Sequence, residues 1–142
     1  MKIIVTIIFT IFMNAFLNAQ HIDLNYYPPK TNATTAKDYN KGVRDLAYAY
    51  ANIEENPNQL LNYIDYWRVA VAYIYMGVDK ETVYSLLLKS KADNKKGFCI
   101  ILHAQLEACG EPQKDSRFYK FLGKTYLENL SNCLGVDIET FR

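Results

Sequence analysis

The sequence predicts an all-α protein of about five helices, folded as antiparallel hairpins after an N-terminal signal peptide. Three observations carry this expectation. From Lys37 onward, apolar residues recur in steps of three and four, the period of a helix face. The breaks between these runs carry helix punctuation, with Asn-Pro or Asp before a run and Gly after it. Sustained period-two alternation is missing, and the short tail Val136 to Phe141 is the one place where a strand could start.

Residues 1–19 read as the signal peptide. Lys2 gives a basic start, and Ile3 to Met13 is an apolar run broken only by Thr6 and Thr10. The small and polar stretch Asn14 to Ala19 follows, which places cleavage after Ala19, with Ala15 as a second position. A spanning helix needs about 20 apolar residues, and Asn14 and Asn18 stop this run short. The expected product is exported, periplasmic or secreted, and free of the membrane after cleavage; an uncleaved, membrane-tethered envelope protein is the alternative. Residues 20–36 read as an extended linker, because Pro28-Pro29 forbids helix. Asn32-Ala33-Thr34 within it is a formal glycosylation sequon. Residues 37–142 form a single α-helical domain.

The first helix covers Lys37 to Glu54, with Tyr39, Val43, Leu46, Tyr50 and Ile53 in one stripe. The second is expected from Pro57 to Met76, capped by Asn56, with Pro at the first helical position and Gln59 at the third. Its main stripe is Leu60, Tyr63, Ile64, Trp67, Val71 and Ile74. A second stripe, Tyr66, Val69, Tyr73 and Met76, implies packing on more than one side and puts this helix at the centre. Gly77 ends it. The third helix, Lys80 to Ala92, is capped by Asp79 and turns Val83, Leu86, Leu87 and Ser90 inward. Asp93 to Gly97 is read as a turn, Phe98 to Cys109 as the fourth helix stopped by Gly110-Glu111-Pro112, and Ser116 to Leu134 as the fifth, ended by Gly135.

Gly77 and Gly110 each close an apolar helix that is followed by a turn and another helix, 33 residues apart. Trp67, Ala70, Gly77, Leu87 and Ser90 stand near the large, small and turn positions of a helical-hairpin repeat of about 34 residues. Over about residues 60–133 the chain thereby resembles the tetratricopeptide repeat family, from which Val71, Val83 and Lys95 depart. That resemblance implies stacked helical hairpins and a protein- or peptide-binding role. A small five-helix bundle fits the same helices.

Composition narrows the function classes. Sixteen Lys and Arg against fifteen Asp and Glu leave a net charge of +1, without the basic excess of a nucleic-acid binder. Neither C-x-x-C nor H-E-x-x-H is present, the glycines are isolated, and no G-x-S-x-G elbow occurs. The expectation is therefore no cofactor, no metal and no catalysis. One constellation suggests otherwise: Cys99, His103 and Glu107 follow at i, i+4 and i+8 along one helix side, the order of a thiol nucleophile with its base and orienting group. A thiol-dependent enzyme using Cys99 and His103 is the alternative function.

The cysteines also bear on stability, since an exported chain can keep a disulfide. Cys99 and Cys109 would lie about 15 Å apart along one helix, too far for a bridge. Cys133, late in the returning helix, is the preferred partner of Cys99, against the alternative of three buried thiols.

Tyrosine is the compositional oddity. The chain has 12, eight of them between Tyr39 and Tyr84. Such rings fill the space between hairpins or supply an interface. Tyr48, Asn62, Tyr66 and Tyr73 lie off the main stripes and form the expected partner surface for another protein or peptide, as in an adaptor, an assembly subunit or an inhibitor. The lysines 89, 91, 95 and 96 read as a solvated helix end.

Overall fold

A computed structural model describes residues 22–107 and 117–136. The expected signal peptide, Cys109, the Gly110-Glu111-Pro112 stop and the tail beyond Val136 lie outside the described residues. Within them every regular element is helical: α1 (Ala36–Glu54), α2 (Tyr63–Met76), α3 (Lys80–Asp93), α4 (Lys95–Glu107), α5 (Arg117–Leu122) and α6 (Lys124–Ser131).

Helix α1 starts where Thr35 Oγ1 accepts the Asp38 amide at 3.1 Å, which satisfies one of the orphan donors of the first turn. Its inner face settles on α2 at Gly42. A Cβ there would stand 2.5 Å from Met76 Cγ and 2.8 Å from the Ala72 carbonyl oxygen, so the close approach of the two helices requires glycine.

Helix α2 begins at Tyr63, six residues later than Pro57, and the Asn56 side chain explains the difference. Its amide donates back to the Asn52 carbonyl at 3.2 Å, closing α1 instead of opening α2. Asn62 and Asp65 form a reciprocal cap, in which Asn62 Oδ1 accepts from the Ile64 amide at 2.9 Å and Asp65 Oδ2 accepts from the Asn62 amide at 3.0 Å. The start is also tied to the end of α3. The Tyr63 amide donates to Asp93 Oδ2 at 2.8 Å, and the fully buried Ser90 hydroxyl donates to the Tyr63 carbonyl at 2.7 Å. At the other end Gly77, with φ of 74°, closes a Schellman motif in which the Val78 amide reaches the Tyr73 carbonyl at 3.1 Å.

Asp79 caps α3 through the Thr82 amide at 2.8 Å, and this bond holds its carboxyl below the ordinary range. The turn expected over Asp93 to Gly97 shrinks to Asn94, whose Oδ1 accepts from the Gly97 amide at 2.9 Å and lets α4 start at Lys95. The single helix expected from Ser116 to Leu134 is two, because Gly123 takes a φ of 79° and turns the chain between α5 and α6.

The core gathers on α2, which packs against α1, α3 and α4. The Trp67 ring stacks on Phe118 of α5 at 5.2 Å and meets Phe98 of α4 edge-on at 5.7 Å, so one side chain joins three helices. A Cys99–Cys133 disulfide, with Cα atoms 6.0 Å apart, ties α4 to the turn after α6.

The described part of the segment before α1 is non-helical and is docked on the helices. The Tyr39 hydroxyl donates to the Pro28 carbonyl and the Tyr50 hydroxyl to the Tyr26 carbonyl, both at 2.8 Å. The Thr34 hydroxyl donates to the Tyr75 carbonyl at 2.7 Å, and Ile22 and Leu24 rest on the core. A Pro-containing segment has carbonyls that no helix uses, and tyrosines supply the donors.

Candidate functional site

The four residues expected to form a partner surface are not brought together. Tyr66 and Tyr73 are 5% and 7% exposed and pack in the core, although Tyr73 also lines a cleft beside α3. The reason is that α2 is covered on several sides, so its second stripe is as enclosed as its first. Burial raises the pKa of both hydroxyls, with Asp93 and Asp65 adding to the effect at Tyr66. Tyr50 is raised further, first by burial and then by the Tyr73 hydroxyl beside it. Asn62 serves as the cap of α2. Tyr48 remains 63% exposed on α1, with the Arg68 guanidinium over its ring at 5.6 Å.

The thiol constellation also changes character. Cys99 is fully buried and bonded to Cys133, so it presents no thiolate to a substrate. His103 is half-buried on α4, and the Glu107 side chain lies outside the described residues. Among the described residues no group of three or more His, Cys, Asp or Glu side chains is placed to hold a metal ion.

Two of the four lysines serve another helix. Lys91 Nζ donates to the carbonyls of Asn129, Leu130 and Asn132, at 3.2, 2.8 and 2.8 Å. Three ammonium donors thus meet carbonyls that the end of α6 leaves open, and the charge sits at the negative end of that helix. Lys95 Nζ donates to the Leu134 carbonyl, in the turn beyond α6, at 2.8 Å. Burial, with repulsion from Lys95, lowers the pKa of Lys91.

Among the described residues the outer face of α3 stays uncovered. Val83, Leu87 and Ser90 point inward, which leaves Glu81, Ser85, Leu88 and Ala92 exposed on the opposite side with Lys89 beside them. Leu88 is 41% exposed. Glu81, Ser85 and Lys89 follow at steps of four and form a ridge shared by two open clefts. One, of about 420 Å³, runs between this ridge and the docked segment at Ile22, Asp23 and Tyr26. The other, of about 520 Å³, is walled by Tyr84, Leu88, Ala92 and Tyr126 and is mostly apolar. Tyr84 and Tyr126 meet edge-on at 4.7 Å, and the Tyr126 hydroxyl reaches Glu81 Oε1 at 3.4 Å. The sequence does not mark this face, because Glu81 and Lys89, eight residues apart, look like ordinary solvated charges on a helix. The available signal was Leu88, an apolar residue outside the inward set.

A further cleft of about 390 Å³ lies between the start of α1 and α5. Arg117 there is held by Asp38 at 3.0 Å, and Arg117 and Lys41 lie over the Tyr75 ring at 4.4 and 4.0 Å. These partners make it a junction of α1, α2 and α5.

No family model, curated protein or solved structure matches this chain.

Proposed function

We propose that this protein is an exported, non-catalytic helical module that acts by binding a protein or peptide through the outer face of α3. The observation that carries the reading is the α3 ridge with an exposed Leu88 and a cleft on each side, a shape that accepts an elongated partner rather than a small enclosed ligand. The signal-peptide pattern of residues 1–19 supports export, and a Cys99–Cys133 bridge suits an oxidising compartment. The close packing of α2 on α3 supports reading the chain as helical hairpins, in which stacked helices offer a face to a partner. A buried, bonded Cys99 weighs against the thiol-enzyme alternative.

The test is affinity capture from the native envelope and extracellular fractions, with Leu88→Arg as the comparison. One stoichiometric partner, lost in the variant while far-UV circular dichroism is unchanged, supports the reading. Capture that is indifferent to the substitution overturns it. Intact mass of the protein recovered from its native source settles cleavage after Ala19, after Ala15, or not at all.

A further inference from the structure

We infer that the occupant of the outer face of α3 is a second copy of this chain, docked antiparallel about a two-fold axis at Ser85; this inference rests on the reading of that face as a docking surface. The charge order of the ridge is self-complementary. Along the ridge, Glu81 stands near the start of α3, the small Ser85 in the middle and Lys89 toward the end. At 1.5 Å per residue the two charges are separated by about 12 Å along the axis. A two-fold axis at Ser85 reverses the ridge, so Glu81 of one copy faces Lys89 of the second and Lys89 faces Glu81. The line is complementary to itself, which is the requirement of an isologous interface. A parallel pairing would set Glu81 against Glu81 and Lys89 against Lys89.

Shape agrees with charge. Residues four apart make the ridges that interlock in the commonest helix packing, crossing at about −50° with each ridge seated in a groove of the other helix. Here the ridge Glu81–Ser85–Lys89 has a cleft on both sides, of about 420 and 520 Å³. Ser85 at the axis keeps the helices close, and Leu88, one turn away, supplies the exposed apolar contact. The paired charges face solvent at the rim, so association is expected to weaken as salt rises.

The experiment is sedimentation equilibrium of the full secreted chain and two single variants, Glu81→Lys and Lys89→Glu, at low and high salt. Wild type forms a dimer, and each reversal places like charges opposite each other and raises the dissociation constant about tenfold or more. Mixing the two variants restores association, because every facing pair is then opposite in sign. Lys89→Glu is the cleaner arm, since Glu81→Lys also removes the Tyr126 contact. A monomer at every concentration, or a dimer indifferent to both reversals, overturns the inference. A monomer that still captures another protein in a Leu88-dependent way overturns the dimer alone. A monomer whose capture ignores Leu88→Arg overturns the docking reading with it.

Discussion

Breaking the Cys99–Cys133 bridge should remove a large share of the domain's stability. The bond closes a loop with a sequence separation of 34, and it links α4 to the chain beyond α6 across the α5 region. Loop-closure entropy for that length gives about 3.8 kcal/mol at 25 °C, within the usual range for disulfides. At about 4 °C per kcal/mol for a domain of this size, the midpoint of thermal unfolding should fall by about 15 °C. The assay is urea unfolding followed by far-UV circular dichroism, for the oxidised protein, the reduced protein and the Cys99→Ala/Cys133→Ala variant. The reduced protein isolates the cross-link, because it keeps both sulfurs in a core where Cys99 is fully buried. The double variant should lose more, since the Cys99 sulfur also packs. Oxidised and reduced proteins agreeing within about 1 kcal/mol would refute the loop argument. A thiol probe that labels both Cys99 and Cys133 in the untreated native protein would refute the bond.

Gly42→Ala should cost about 1–3 kcal/mol in the same urea assay, because the new methyl meets the Ala72 carbonyl and the Met76 backbone, which cannot step aside as a side chain could. Ser90→Ala should cost about 1–3 kcal/mol by leaving the Tyr63 carbonyl without its buried donor, whereas Ser85→Ala, on the outer face of the same helix, should be nearly neutral to the fold. Alkaline titration should show tyrosines that ionise only on unfolding. Tyr50, Tyr66 and Tyr73 have folded pKa values above the usual 10.0, so above pH 10 the unfolded chain loses protons that the native one keeps. Stability is then full below that pH and falls as pH rises through the folded values, by about 1.4 kcal/mol per pH unit for each such group, which tyrosinate absorbance read beside circular dichroism will follow.

Much of the helical framework is legible in the sequence because packing imposes its own period. The stripe from Tyr39 to Ile53 marks α1, and Asp79 marks the start of α3 through a cap that needs only neighbouring residues. What fails to be legible depends on partners distant in the chain. Asn56 and Asn62 both look like helix caps, each with a polar side chain three residues on. Asn56 turns back to the Asn52 carbonyl, and Asp93, some thirty residues later, accepts the Tyr63 amide and ties the start of α2 to Asn62. Gly123 interrupts an apolar run that reads as continuous, and nothing local distinguishes a tolerated helical glycine from one that turns the chain. Two apolar stripes on α2 reveal packing on several sides but not which ring stays uncovered, so Tyr66 and Tyr73 read as a surface while the structure encloses them. The outer face of α3 escapes notice for the opposite reason. Its own residues look ordinary, and the clefts beside it are made by Ile22 and Tyr26 on one side and Tyr126 on the other.

Whether the outer face of α3 is where this protein meets its partner can be read by site-specific photo-crosslinking. A photoreactive residue is placed at Leu88 in the full chain, expressed in its native setting, and compared with one at Leu60 on the α1–α2 connection. Leu60 is 77% exposed against 41% for Leu88, so indiscriminate contact would favour Leu60. Position 88 should give a discrete protein adduct and position 60 none. An adduct from position 60 alone, equal labelling at both, or none at either would contradict a partner at this face.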